Sequence, residues 1–82
     1  MALKDRVSKK VIEAVAGSFK KEASEITAQT RLHDELGATS LNFVELMAVF
    51  EAEFEVAIPF ARLQRCQTVG EVIDLVMELL QG

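Results

Sequence analysis

In the middle of the chain, apolar side chains fall at Phe43, Leu46, Met47, Phe50 and Phe54. Steps of three and four residues place them on one face of an α-helix. The pattern predicts a helix over Leu41–Glu55, about 22 Å long at 1.5 Å per residue. A thinner apolar strip, Leu41, Val44, Ala48 and Ala52, runs along the same segment. Apolar residues outside the core face predict a surface that meets a partner. Upstream, Leu3, Val7, Val11, Ala14 and Val15 share a face, with Ile12 close by and Lys4, Lys9, Lys10 and Glu13 on the outside. This predicts a first helix over Leu3–Ala16, ended by Gly17 and Ser18 as a glycine cap would end it.

Phe19–Thr39 shows no periodicity. A structureless segment of that length is unusual in a small domain, so the expectation is a tethered loop. Ile26, Leu32 and Leu36 would be its anchors in the core, around a short helical turn. Ile58-Pro59 breaks the chain after the central helix, and Phe60–Arg65 has room only for a short third helix. Thr68-Val69-Gly70-Glu71 has the form of a capping box, with Thr68 as N-cap and Glu71 reaching back. Beyond it Val69, Val72, Ile73, Val76, Leu79 and Leu80 repeat at helical spacing. No segment alternates as a strand would. The prediction is an all-α fold: a small four-helix bundle of three long helices and one short one, with a long first loop, over a single domain of residues 1–82.

Composition narrows the chemistry. Half of the 82 residues are apolar and the five aromatics are all Phe, so the core is thin. No apolar run approaches the ~20 residues of a membrane span. The first residues meet charge at once and lack a signal-peptide core, so the expected compartment is cytoplasmic. One cysteine, Cys66, forms no internal disulfide and makes no paired-cysteine zinc site. It is expected to be a buried structural thiol. The net charge of −4 is uneven: residues 1–20 carry +3 and residues 21–58 carry −6. An acidic centre argues against nucleic acid and for partners with a basic docking patch.

Ser40 stands where a glycine-containing loop meets the central helix. A serine there is most often an N-cap, a role Thr39 fills equally well. A helix N-terminus also stabilises an attached anion. Gly37 and Ala38 leave Ser40 accessible, and Leu41 and Val44 offer a grip beside it. The pattern Leu36-Gly37-Ala38-x-Ser40-Leu41, then Val44-Glu45-Leu46, Glu51-x-Glu53-Phe54 and Ile58-Pro59, resembles the acyl carrier proteins from about Arg6 to Leu80. The resemblance implies that Ser40 carries a 4′-phosphopantetheine arm, derived from coenzyme A, whose thiol holds acyl groups as thioesters for fatty acid, lipid or polyketide-type biosynthesis. The chain would then be no enzyme. It would be the substrate of a phosphopantetheinyl transferase and of acyl-loading and acyl-using enzymes such as a ketosynthase or acyltransferase, and it is expected to be a monomer. Leu41, Val44 and Ala48 would supply contact, and Glu45, Glu51 and Glu53 steering.

Four positions depart from the family pattern. Thr39 stands where carriers of the fatty acid type have Asp, Asn42 stands at the next acidic position, and Arg62 and Arg65 occupy a usually acidic third helix. These departures suggest a specialised carrier rather than a housekeeping one. Two alternatives remain. One is an aminoacyl or peptidyl carrier of a nonribosomal-peptide-type pathway. The other is an unmodified helical interaction module. A Ser40–His33–acid triad with Asp34 or Glu35 would need a base within reach of the serine. His33 is expected to be a solvated loop residue instead, and no Gly-x-Ser-x-Gly elbow is present.

Overall fold

The computed structural model describes residues 2–82. Four α-helices follow in order: α1 (Leu3–Phe19), α2 (Ser40–Phe54), α3 (Phe60–Arg65) and α4 (Val69–Gln81), with a 3-10 turn at Ala23–Glu25 inside the first loop. Among the described residues no strand occurs; one isolated β-bridge joins Arg31 to Thr68. α1 packs against α2 and α4, and α3 lies mainly on α2. The expected all-α bundle of three long helices and one short one is therefore what the chain forms.

The apolar faces meet largely as their spacing predicts, except that Leu3 is exposed, Leu79 and Leu80 are half-buried, and Leu75, which the spacing did not single out, joins the core. Val7, Val11 and Val15 of α1, Phe43, Leu46 and Phe50 of α2, Leu63 of α3, and Val69, Val72, Ile73, Leu75 and Val76 of α4 are buried together. Met47 and Phe54 pack at the edge of this core. Among the described residues no helix is long and apolar enough to cross a membrane.

The first helix runs three residues beyond the expected Ala16. Gly17 is an ordinary helical residue, and the left-handed position is taken by Lys20 (φ 56°). Lys21 N–H then donates to Ala16 O at 2.9 Å and Lys20 N–H to Gly17 O at 3.4 Å, the two bonds of a Schellman ending. Burial of one face of Phe19 holds the extra turn against the core. α2 begins at Ser40 and ends at Phe54, one residue ahead of the expected span at each end, because Glu55 takes the left-handed cap (φ 54°).

The long loop is anchored more by backbone than by the expected three side chains. Ile26 and Leu32 are buried, whereas Leu36 is half-buried. Leu32 N–H donates to Gln67 O (2.8 Å), Val69 N–H to Thr30 O (3.0 Å) and Gly70 N–H to Ala28 O (2.8 Å). The loop is thus stitched along the entrance to α4. Gly70 permits this approach, since a Cβ there would stand 3.1 Å from Ala28 O. Thr68 caps α4 by accepting from Glu71 N–H, but Glu71 reaches back to Gln67 N–H and the Thr68 hydroxyl rather than to Thr68 N–H.

Candidate functional site

The loop delivers its last residues to α2 through a tight turn. Gly37 sits at φ +65°, a conformation that glycine adopts without the Cβ penalty. Ala38 N–H donates to Leu32 O at 2.9 Å. Thr39 is the N-cap of α2, and Ser40 is its first helical residue. Asn42, three residues on, completes the capping box: its Oδ1 accepts from Thr39 N–H at 3.0 Å and from the Thr39 hydroxyl at 3.1 Å. The Asn42 amide nitrogen donates in turn to Ser18 Oγ (3.2 Å), and Ser18 donates to Glu45 Oε1 (3.3 Å). This chain of bonds ties the end of α1 to the start of α2. It needs a residue that accepts with one atom and donates with the other, as an amide does and a carboxylate does not.

Ser40 is therefore spared from capping. It is exposed, at the positive end of a 15-residue helix, and its hydroxyl accepts one long hydrogen bond from Gln64 Nε2 of α3 at 3.4 Å. No acid–base relay faces it among the described residues. His33 Nε2 lies 3.2 Å from the backbone oxygen of Gln64, and since a carbonyl only accepts, that nitrogen carries the proton. The His33 ring rests on Phe43 with centroids 5.3 Å apart. His33 is exposed, as expected, but it bridges the loop to α2 and α3 rather than standing free in solvent. Asp34 pairs with Arg31 (3.0 Å), and Glu35 accepts from Arg31 N–H (3.0 Å).

Leu41 (68% exposed) and Val44 (44%) stand beside the serine, with Ala48 and Ala52 also exposed. Val49, 48% exposed, belongs to the same apolar surface although its spacing did not single it out. Beside it a groove of about 320 Å³ runs between α1 and α2, lined by Ala14, Gly17, Ser18, Glu45, Leu46 and Val49. The three candidate steering acids are deployed differently. Glu45 is exposed on the apolar strip. Glu51 is half-buried and accepts from Ile58 N–H at 2.8 Å, which secures the turn after α2. Glu53 pairs with Lys10 at 3.0 Å and crosses to α1; that hydrogen bond, with the charge of the same carboxylate, raises the Lys10 pKa.

Cys66 is buried, and burial pushes its thiol up to about 11, against the lowering pull of Arg62. Arg62 is committed to Glu78 of α4 at 2.6 Å. The hydrogen bond to Arg62 holds the Glu78 carboxyl below its ordinary value. Neither group is a nucleophile or base for Ser40.

The residues around Ser40 suit a covalently attached phosphodiester. The hydroxyl is accessible and uncommitted to the cap, helix N–H groups at the start of α2 lack intrahelical partners, and the Gln64 amide adds a neutral donor. Comparison with known proteins agrees. A family model described as a phosphopantetheine attachment site matches residues 9–76. An acyl carrier protein of Porphyromonas gingivalis (strain ATCC BAA-308 / W83) is 44% identical over 75 residues, covering 92% of this chain and 96% of that protein. An acyl carrier protein of Rickettsia canadensis (strain McKiel) is 38% identical over 78 residues, covering 95% and 91%. A second rickettsial acyl carrier protein, from Rickettsia rickettsii (strain Iowa), shares the same identity and coverage. By fold, by the match along most of its length and by the relatives it resembles, the chain belongs to the phosphopantetheine-binding family of acyl carrier proteins.

Proposed function

We propose that Ser40 is the residue that bears the 4′-phosphopantetheine arm, within a single carrier domain of residues 1–82. Membership of the family makes the protein a non-catalytic carrier of acyl groups, held as thioesters on that covalent arm. The observation that carries the choice of Ser40 is the Thr39–Asn42 cap, which leaves the neighbouring hydroxyl exposed at the helix start. The arm supplies the thiol; the protein supplies the position, the partner surface and a mobile delivery of the load at high local concentration.

Family membership implies modifying and acyl-using enzymes as partners. We assign their docking to Leu41, Val44 and Ala48 as contact and to Glu45 as the exposed charge, with Glu51 and Glu53 adding field from positions already engaged in the fold. With Arg62 paired to Glu78, Arg65 puts exposed basic charge on α3, which supports a dedicated pathway rather than bulk fatty acid elongation, and we assign the protein to the cytoplasm. Equal support of bulk elongation by this protein and by a housekeeping carrier would remove that assignment.

Intact mass tests the attachment. After incubation with coenzyme A and a phosphopantetheinyl transferase, the protein is expected to gain one phosphopantetheine, and the Ser40→Ala variant none. No gain by the folded wild-type protein would leave an unmodified interaction module.

A further inference from the structure

Among the described residues, Gln64 is the one side chain from another element that reaches Ser40 Oγ, at 3.4 Å. Of its neighbours on α3, Arg62 pairs with Glu78 of α4 and Arg65 is exposed, whereas Gln64 is half-buried. The backbone oxygen of the same residue receives His33 Nε2 at 3.2 Å, and His33 in turn lies on Phe43 in the first turns of α2. The end of α3 and the start of α2 are therefore joined twice at one place, once through backbone and once through the Gln64 amide.

We propose that Gln64 is a positioning residue for the group attached at Ser40, and that its amide couples α3 to the loaded state of the carrier. The proposal rests on Ser40 being the attachment point. In the unmodified protein Gln64 donates to a neutral hydroxyl at long range. Once the serine oxygen is esterified, the same amide has an anionic phosphodiester within its reach. Hydrogen bonds to charged acceptors are shorter and about twice as strong as neutral ones. A carboxylate at position 64 would repel that anion, and an apolar side chain would offer it nothing. An amide donates without adding net charge, so the coupling resists salt better than an Arg or Lys contact would. α3 has six residues and gains little from its own helical bonds, so one added tether changes its opening measurably.

The test loads the wild-type, Gln64→Met and Gln64→Glu proteins with the arm, confirms each by intact mass, and records two readouts. One is amide hydrogen exchange across α3 before and after loading. The other is the phosphorus-31 resonance of the attached group. In the wild type, loading is expected to slow α3 exchange by about 2- to 10-fold, the range of one net hydrogen bond. Gln64→Met is expected to abolish the slowing and shift the phosphorus resonance, and Gln64→Glu to speed exchange on loading. Fully loaded wild-type and Gln64→Met proteins with the same change in exchange and the same resonance would overturn the role of Gln64 while leaving Ser40 as the attachment point. Absence of the arm from all three would overturn both.

Discussion

At the scale of single residues, the site depends on a division of labour between neighbours. Thr39 and Asn42 satisfy the helix start, and this frees Ser40. Asn42 does more than cap, because its two amide atoms join Thr39 to Ser18 and through it to Glu45. Asn42→Ala is expected to lower stability by about 1 kcal/mol, the usual cost of losing a capping partner, read from the urea midpoint. From the sequence, Asn42 was visible only as a departure from an acidic family position. Its role depends on Ser18, 24 residues earlier, which local spacing does not reveal. Cys66 was legible as a structural thiol. With its pKa raised from 9.0 to about 11 by burial, the native protein is expected to react with iodoacetamide at pH 8 about 100-fold more slowly than the unfolded chain, since the thiolate is the nucleophile. The sign for stability follows. Folding favours the protonated thiol, so this contribution is complete below pH 9 and is lost as the pH rises from about 9 to 11.

At the scale of elements, helix faces were readable because period and burial coincide: the core residues of α2 fall where their spacing puts them, and so do those of α4 apart from Leu75. Helix ends were less readable. Gly17 has the composition of a cap, yet the chain continues helical through Phe19 because that side chain packs on the core and Lys20 accepts the left-handed conformation. Gly17 therefore carries the entropic cost of glycine without using its freedom. A Cβ there would meet nothing within 4 Å. Gly17→Ala is expected to raise stability by roughly 0.5–1 kcal/mol, seen as a higher melting temperature with unchanged helical fold. A lower melting temperature would mean that the groove beside Val49 needs the glycine. The Arg62–Glu78 pair ties the short α3 to α4. Glu78 has a depressed pKa, so whatever the pair adds to stability is present above the ordinary carboxylate range and lost as acid protonates Glu78.

At the scale of the whole molecule, the fold closes to a radius of gyration of 11.4 Å, near the roughly 12 Å expected of a compact domain of this length. The first loop contributes to that closure. Leu32 is fully buried, and its N–H is bonded to Gln67 O. Leu32→Ala is expected to cost about 2–5 kcal/mol, a large share of the about 5–15 kcal/mol that domains possess, and chemical denaturation measures it. The charge distribution acts at the same scale. Residues 21–58 hold the acidic centre, and Glu45 is its exposed member on the apolar strip. Glu45→Lys is expected to slow association with the modifying transferase by roughly 2- to 10-fold at low salt, with the difference shrinking as salt is added. An unchanged rate at low salt would take Glu45 off the docking surface.

By itself the sequence determined the helical class, the buried faces, Ser40 at the start of the central helix and the family pattern around it. Each of these rests on spacing within a few turns, where chain geometry alone brings side chains together. Tertiary structure decided which of Thr39 and Ser40 caps the helix, that Glu51 and Glu53 are engaged by Ile58 and Lys10, and that Gln64 and His33 converge on the site from separate segments. Those outcomes depend on contacts between residues far apart in the chain, and only the packed core sets their distances.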